Sequence, residues 1–336
     1  MKVLFIGGTG NISTAVSRLC VARGIDLTLL NRGTRGPEIP GTKSLRGDIA
    51  DPDRLAALLA GEQWDVVVDW IAFTVGDVER DLTLFRRATA QYIFISSASA
   101  YEKPPSRPVI TESTPLVNPF WEYSRNKIAC EERLLRAYTE ERFPVTIVRP
   151  SHTYDTVIPV AFGGWTDFTI IDRIRRGRKI IVHGDGTSLW TVTHAEDFAV
   201  GFVGLLGLAR AIGEVFHITS DELLTWNQIY DAVARAAGEA PQIIHIPTDF
   251  IVRCEPSLRG PLFGDKSHSV IFDNSKIKRF VPDFDAVIPF ANGIKRTLAW
   301  FDAAPQRRVM RPETAAMLDG IIASYERGGP VPHRTR

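Results

Sequence analysis

The sequence predicts an α/β protein, a doubly wound parallel sheet followed by a smaller C-terminal lobe. Up to Pro150, short and wholly apolar runs alternate with helical patterns. Strands that are apolar on both faces belong in a parallel sheet covered by helices on both sides. The first run ends in a glycine-rich turn that opens a helix, as a ligand-binding sheet of this class requires. Beyond Pro150 the alternation gives way to mixed aromatic, glycine and basic segments.

The elements follow in order. "KVLFIG" is the first strand, with a helix through Leu19, and "DLTLLN" is the second. A third strand ends at Asp48 in "RGDIAD", before a helix from Asp53. "WDVVVDWIAF" is the fourth strand, with a helix from Asp77, and "QYIFISS" is the fifth. "EYSRNKIACEERLL" is helical and leads to the sixth, "FPVTIVRP". "THAEDFAVGFVGLL" and "GEVFHIT" form a further αβ unit that returns to the sheet. The apolar stretch from Phe198 is too short to cross a bilayer and reads as a buried helix. Residues 1–155 and 190–220 are expected to form the nucleotide-binding unit, and 156–189 with 221–336 the second lobe. The loop "EKPPSRPVITESTP" is expected to border a pocket between them.

Composition narrows the function. A net charge of +1 over 336 residues gives no electrostatic case for a nucleic-acid binder. Three scattered cysteines offer neither a disulfide framework nor metal-ligand spacing, so no metal site is expected and a reducing, cytoplasmic location is. The N-terminal apolar run meets glycines too soon for a signal peptide.

In "FIGGTGNIS", Gly7 and Gly10 permit a tight turn and close approach of the backbone to a pyrophosphate seated on the helix N-terminus. Ser13 replaces the third glycine and is still small. Where the second strand ends, Asn31 stands in place of the usual ribose-binding carboxylate, followed by Arg32. Asparagine does not repel a 2′-phosphate and arginine can pair with one, so this end leans towards NADP, with NAD left open. Asp48 is placed either to accept from an adenine amino group or to cap the next helix.

Tyr123 and Lys127 lie one helical turn apart. With the glycine turn, "GDI" and "FISSASAY", the order of motifs resembles the extended short-chain dehydrogenase/reductase family, the group of sugar-nucleotide epimerases and dehydratases that includes UDP-galactose 4-epimerase. The resemblance implies a Rossmann-type fold with bound NAD or NADP. Tyr123 becomes the acid/base, Lys127 the cation that lowers its pKa and holds the cofactor ribose, and Ser97 the hydroxyl on the reacting oxygen. It also assigns Asn11, Ile12, Ile49, Trp70, Ile71, Ala72, Pro150 and Ser151 to the cofactor. Dehydratases of the family carry an Asp-Glu pair after the serine. Here Ala98 and Ser99 match the small pattern of 4-epimerases, which points to a carbohydrate epimerase, with an NADP-dependent reductase as the alternative.

Ser99, His152, Trp165 and Trp190 are the expected substrate residues. His152 stands where relatives place an asparagine near substrate phosphates, and it either bonds a phosphate or is structural. Trp190 replaces the arginine that clamps a diphosphate and offers an indole to stack on a sugar. The basic run Arg173, Arg175, Arg176, Arg178 and Lys179 is either an anion site or a solvated helix end. His194 and Asp197 are expected to join the lobes. The expected partners are a small carbohydrate and a second copy of the chain. Some plastid relatives bind RNA, which the retained Ser97, Tyr123 and Lys127 counsel against here.

Overall fold

The computed structural model describes residues 1–33 and 38–328. The last residues of the expected second lobe, 329–336, lie outside the described residues. Seven parallel strands form the central sheet: β1 (Lys2–Ile6), β2 (Asp26–Asn31), β3 (Lys43–Arg46), β4 (Val66–Asp69), β5 (Tyr92–Ile95), β6 (Val145–Pro150) and β7 (Val215–Ile218). Their order across the sheet is β7-β6-β5-β4-β1-β2-β3. The chain winds outward from β1 in both directions, so a crevice opens at the carboxyl ends of β1 and β4, where ligands sit in sheets of this kind.

Helices α1 (Asn11–Ala22), α2 (Pro52–Leu59), α3 (Val75–Phe85) and α4 (Glu122–Glu141) connect the strands. α3 begins before the expected Asp77 because Thr74 caps it. The Thr74 hydroxyl accepts from the Asp77 amide while the Asp77 carboxylate accepts from the Thr74 amide at 2.9 Å. One sheet face is sealed by α1 and by the helix Ala195–Val203, through Val16, Phe198 and Phe202. The other is sealed by α2, α3 and α4, through Leu55, Val78, Leu82 and Leu134. The Phe198 segment is thus a buried helix. Among the described residues no helix is long and apolar enough to cross a membrane.

A further apolar core lies beyond the sheet, built on Phe162, Ile180, Trp190, Trp226, Tyr230 and Phe301. Asp197 joins the two regions by accepting from the Val287 and Ile288 amides at 3.2 and 3.0 Å. A π-helical turn, Leu262–Lys266, is carried back from this region against the start of α4. Its Gly264 is required there, because a Cβ would stand 2.9 Å from that of Trp121.

Candidate active site

A cavity of about 1060 Å³ runs along the carboxyl edge of the sheet, from Arg32 and Asp48 at one end to Tyr123, Trp165 and Asp265 at the other. The turn after β1 forms its floor. Gly7 and Gly8 have φ of +93° and +99°, the left-handed region in which side chains are strained. Gly8 is the more constrained, since a Cβ would lie 2.7 Å from Leu29 Cδ2 and 3.3 Å from Phe5 Cβ. The sequence reading passed over it. Gly10 caps α1, and its N–H donates to Ser13 Oγ at 2.8 Å, so the serine in the third position closes the turn.

At the far end Asn31 Oδ1 accepts from the Gly33 N–H at 2.9 Å, and among the described residues its amide N–H groups have no acceptor. Arg32 is exposed beside it, and Arg46, opposite Asn31 on β3, packs against Gly33. Asp48 accepts from the Ala50 amide at 3.0 Å and faces the cavity. The cap of α2 is Asp51, whose carboxylate accepts from the Arg54 amide at 3.2 Å, so Asp48 is not the helix cap. A cradle that a Cβ would fill, free amide donors and a long cleft at the switch point fit a dinucleotide.

The opposite end carries the hydroxyls. Ser97 follows β5, with its Oγ 2.9 Å from Ser99 Oγ, which also accepts from Ser124 Oγ at 2.8 Å. Ser124, given no role in the sequence, therefore anchors this chain of hydroxyls to α4. Tyr123 is half-buried and lines the cavity beside Ser97. Lys127 is buried, and its Nζ donates to the carbonyls of Ala72 and Ile95, both at 2.7 Å. The lysine is thereby aimed along the cavity with one donor to spare. One turn further along α4, buried Glu131 accepts from Ser96 Oγ and from Arg149 Nε at 2.9 Å, which ties the helix to β5 and β6.

Residues 3–218 match the profile of the NAD dependent epimerase/dehydratase family. The chain belongs to this family. It is 26% identical over 251 residues to 2′-dehydrokanamycin reductase of Streptomyces kanamyceticus, covering 74% of this chain and 70% of that protein. It is 30% identical over 266 residues to a chloroplast stem-loop binding protein of Arabidopsis thaliana, covering 74% and 67%. The structure of UDP-glucose 4-epimerase from Bifidobacterium longum with NAD⁺ and UDP superposes with a TM-score of 0.73 at 19% identity, over 91% of this chain and all of that one. That likeness carries the fold.

Within the family frame, the cavity is lined by Gly7, Gly10, Asn11, Ile12, Asn31, Arg32, Asp48, Ile49, Trp70, Ile71, Ser97, Ser99, Tyr123, Lys127, Pro150, Ser151, His152 and Trp165. Two expected residues are not among them. Ala72 is buried and contributes only its carbonyl, which holds Lys127. Trp190 is 2% exposed and packs on Trp226 at 5.6 Å, so it is a core residue with no face for a sugar. Four of the five residues of the basic run are already in ion pairs. Arg173 pairs with Asp319, Arg175 with Asp302, Arg176 with Asp172 and Lys179 with Glu326.

Burial dominates the titration of both Tyr123 and Lys127. Burial raises Tyr123, the Ser97 hydrogen bond opposes this, and the Asp265 carboxylate adds to it. Burial pulls Lys127 down to about 8, so the ammonium still carries its charge at neutral pH, 5.9 Å from the Tyr123 ring centroid. Burial of the phenol keeps Tyr123 protonated, as a proton donor, at neutral pH.

Three residues that local sequence gave no reason to choose complete the site. Asp265 and Lys266 enter the cavity from the π-helical turn and pair at 2.9 Å. Asn118 positions them, donating to the Ser99 and Gly264 carbonyls at 2.8 and 2.7 Å. It thus fixes the spacing between the serine turn and Asp265.

Proposed function

We propose that the protein is an NAD(P)-dependent carbohydrate epimerase, acting by hydride removal from a carbinol carbon and return to its opposite face. The observation that carries the reading is the convergence of Ser97, Tyr123 and Lys127 on one end of a cavity whose other end is a glycine cradle. The turn at Gly7–Gly10, Asn31, Asp48 and Lys127 would hold the dinucleotide, which would supply and accept the hydride. Tyr123 moves the proton at the substrate oxygen and Ser97 bonds that oxygen. Lys127 holds the ribose and, while charged, stabilises the phenolate that forms during transfer. Ala98 and Ser99 add no acid/base pair for eliminating water, which speaks against dehydration. The test is to incubate the protein with glycosides and resolve the products by NMR. A new epimer formed without net cofactor consumption supports the reading, and an oxidised or reduced product alone overturns it in favour of the reading below.

A second reading, a one-way reductase of a sugar ketone, is favoured by two observations. Tyr123 is kept protonated, ready to give its proton to a carbonyl. Position 190 offers no arginine to tether a keto intermediate while it turns, and 2′-dehydrokanamycin reductase is among the relatives.

Two expected outcomes follow. Arg32→Ala weakens NADP binding by about tenfold and leaves NAD little changed, as measured by calorimetry, because only the 2′-phosphate engages the guanidinium. Equal loss for both would remove the phosphate pairing. In the carbonyl-reducing direction, kcat falls as pH rises through about 8, where Lys127 gives up its charge. Lys127→Arg, which keeps its charge, moves that limb upward. A limb unmoved in this variant would assign it to another group.

A further inference from the structure

One buried charged cluster takes no part in the chemistry proposed above. Arg80, in the middle of α3, pairs with three carboxylates, Asp69 at 3.1 Å, Asp77 at 3.0 Å and Asp81 at 2.9 Å. Asp69, the last residue of β4, and Asp81 are fully buried, whereas Asp77 is partly exposed. The two buried carboxyls meet the same guanidinium nitrogen, where like charge disfavours ionising both. Burial and the facing Asp69 charge hold the Asp81 carboxyl well above the usual carboxylate range, so Asp81 keeps the proton and Asp69 carries the charge.

The cluster grips the turn between β4 and α3. Asp69 Oδ1 accepts from the Ile71 N–H at 2.6 Å, and Asp77 Oδ2 accepts from the Phe73 and Thr74 N–H groups at 3.0 and 2.9 Å. Asp81 instead accepts from the Tyr92 hydroxyl of β5 at 2.6 Å. The amides on both sides of Ala72 thus end on carboxylates that one guanidinium ties together. Between them the Ala72 carbonyl accepts from Lys127 Nζ at 2.7 Å, and the centre of the Phe73 ring lies 4.5 Å from the same nitrogen. The other acceptor of Lys127 is the carbonyl of Ile95, which strand pairing with β6 already fixes. The turn is therefore the part of the lysine's setting that side chains must hold. Burial pulls the ammonium down, and Cys130, Asp69, Glu131 and Asp77, from α4, β4 and α3, oppose this. Tyr123, on the same helix, is its other titratable neighbour.

We propose that Asp69 and Asp77, tied together by Arg80, are positioning residues for Lys127, setting the β4–α3 turn so that the Ala72 carbonyl holds the ammonium in the cavity wall. The kinetic consequence rests on the hydride-transfer reading, and the placement of Lys127 does not.

The test compares Asp69→Asn, Asp77→Ala and Asp81→Asn in the full chain. Lysine side-chain NMR follows the titration of Lys127, whose resonance is identified by its loss in Lys127→Arg, and turnover and melting are measured on the same samples. Asp69→Asn removes the charge and turns an amide N–H towards Arg80, and Asp77→Ala frees the Phe73 and Thr74 amides. In both, Lys127 is expected to lose its charge at a lower pH than the value of about 8 in the unaltered protein. Turnover should fall by up to about 100-fold with KM little changed, as displacement of a reacting group by about 1 Å does. Asp81→Asn exchanges one neutral group for another. It should lower melting as much as Asp69→Asn does and leave the Lys127 titration and kcat unmoved. Asp77→Ala, at the partly exposed position, reads the same turn if Asp69→Asn fails to fold. A Lys127 titration unchanged in Asp69→Asn and Asp77→Ala, or shifted equally in Asp81→Asn, would overturn the proposal. The expected shift in a protein that reduces no bound nucleotide would leave the positioning standing and remove the hydride reading. An unmoved titration with nucleotide reduction intact would do the reverse.

Discussion

Tyr123→Phe is expected to lower turnover by about 10²–10⁴-fold, the range that a positioned acid/base contributes, while nucleotide affinity and melting temperature stay within error. The phenol stands half-buried on the cavity wall beside Trp121 and Phe73, so a phenylalanine ring keeps those contacts. What it loses is the hydroxyl beside Ser97 and the proton that burial retains. Single-turnover assays with nucleotide titration on the same sample separate the two effects. Turnover retained in this variant would remove the assigned mechanism.

The largest effect on stability is expected at Glu131. The carboxylate is buried under the sheet edge, where it receives Arg149 through two nitrogens and Ser96 through its hydroxyl. Glu131→Ala leaves the Arg149 guanidinium buried at its ring contact with Tyr101, 4.7 Å away, without its counter-charge. Removing one partner of a buried pair costs about 3–5 kcal/mol, which denaturant unfolding would register as a large drop in midpoint at unchanged slope. A double variant replacing both Glu131 and Arg149 with apolar residues should recover part of the loss, because no charge is then stranded. If the single replacement melts like the unaltered protein, Glu131 is not the anchor of α4.

The sheet was legible because its signals are local. Runs such as "VVVD" at Val66–Asp69 are buried on both faces, and the turn after β1 announces itself in four residues. The Tyr123–Lys127 spacing was readable for the same reason, since one helical turn fixes it. What the sequence hid depends on chain segments far apart. Trp190 looked free for a sugar until Trp226, brought across by a helix, covered it. Asp265 and Lys266 sit in "FGDKSH" with no pattern around them, and they reach the cavity only because Gly264 lets the turn settle on Trp121. The depth of burial of Lys127, which pulls it down to about 8, was not legible either, because spacing reports proximity and not burial.

Acid release and mass identification of the nucleotide that copurifies, with its stoichiometry and its reduction in a single turnover by a glycoside, tests the account most directly. The account predicts that the chain holds NAD or NADP in its cavity, and that the bound nucleotide is reduced on mixing and remains oxidised in Tyr123→Phe. A protein that takes up neither nucleotide at saturating concentration, and instead binds RNA with a steep salt dependence, would contradict it.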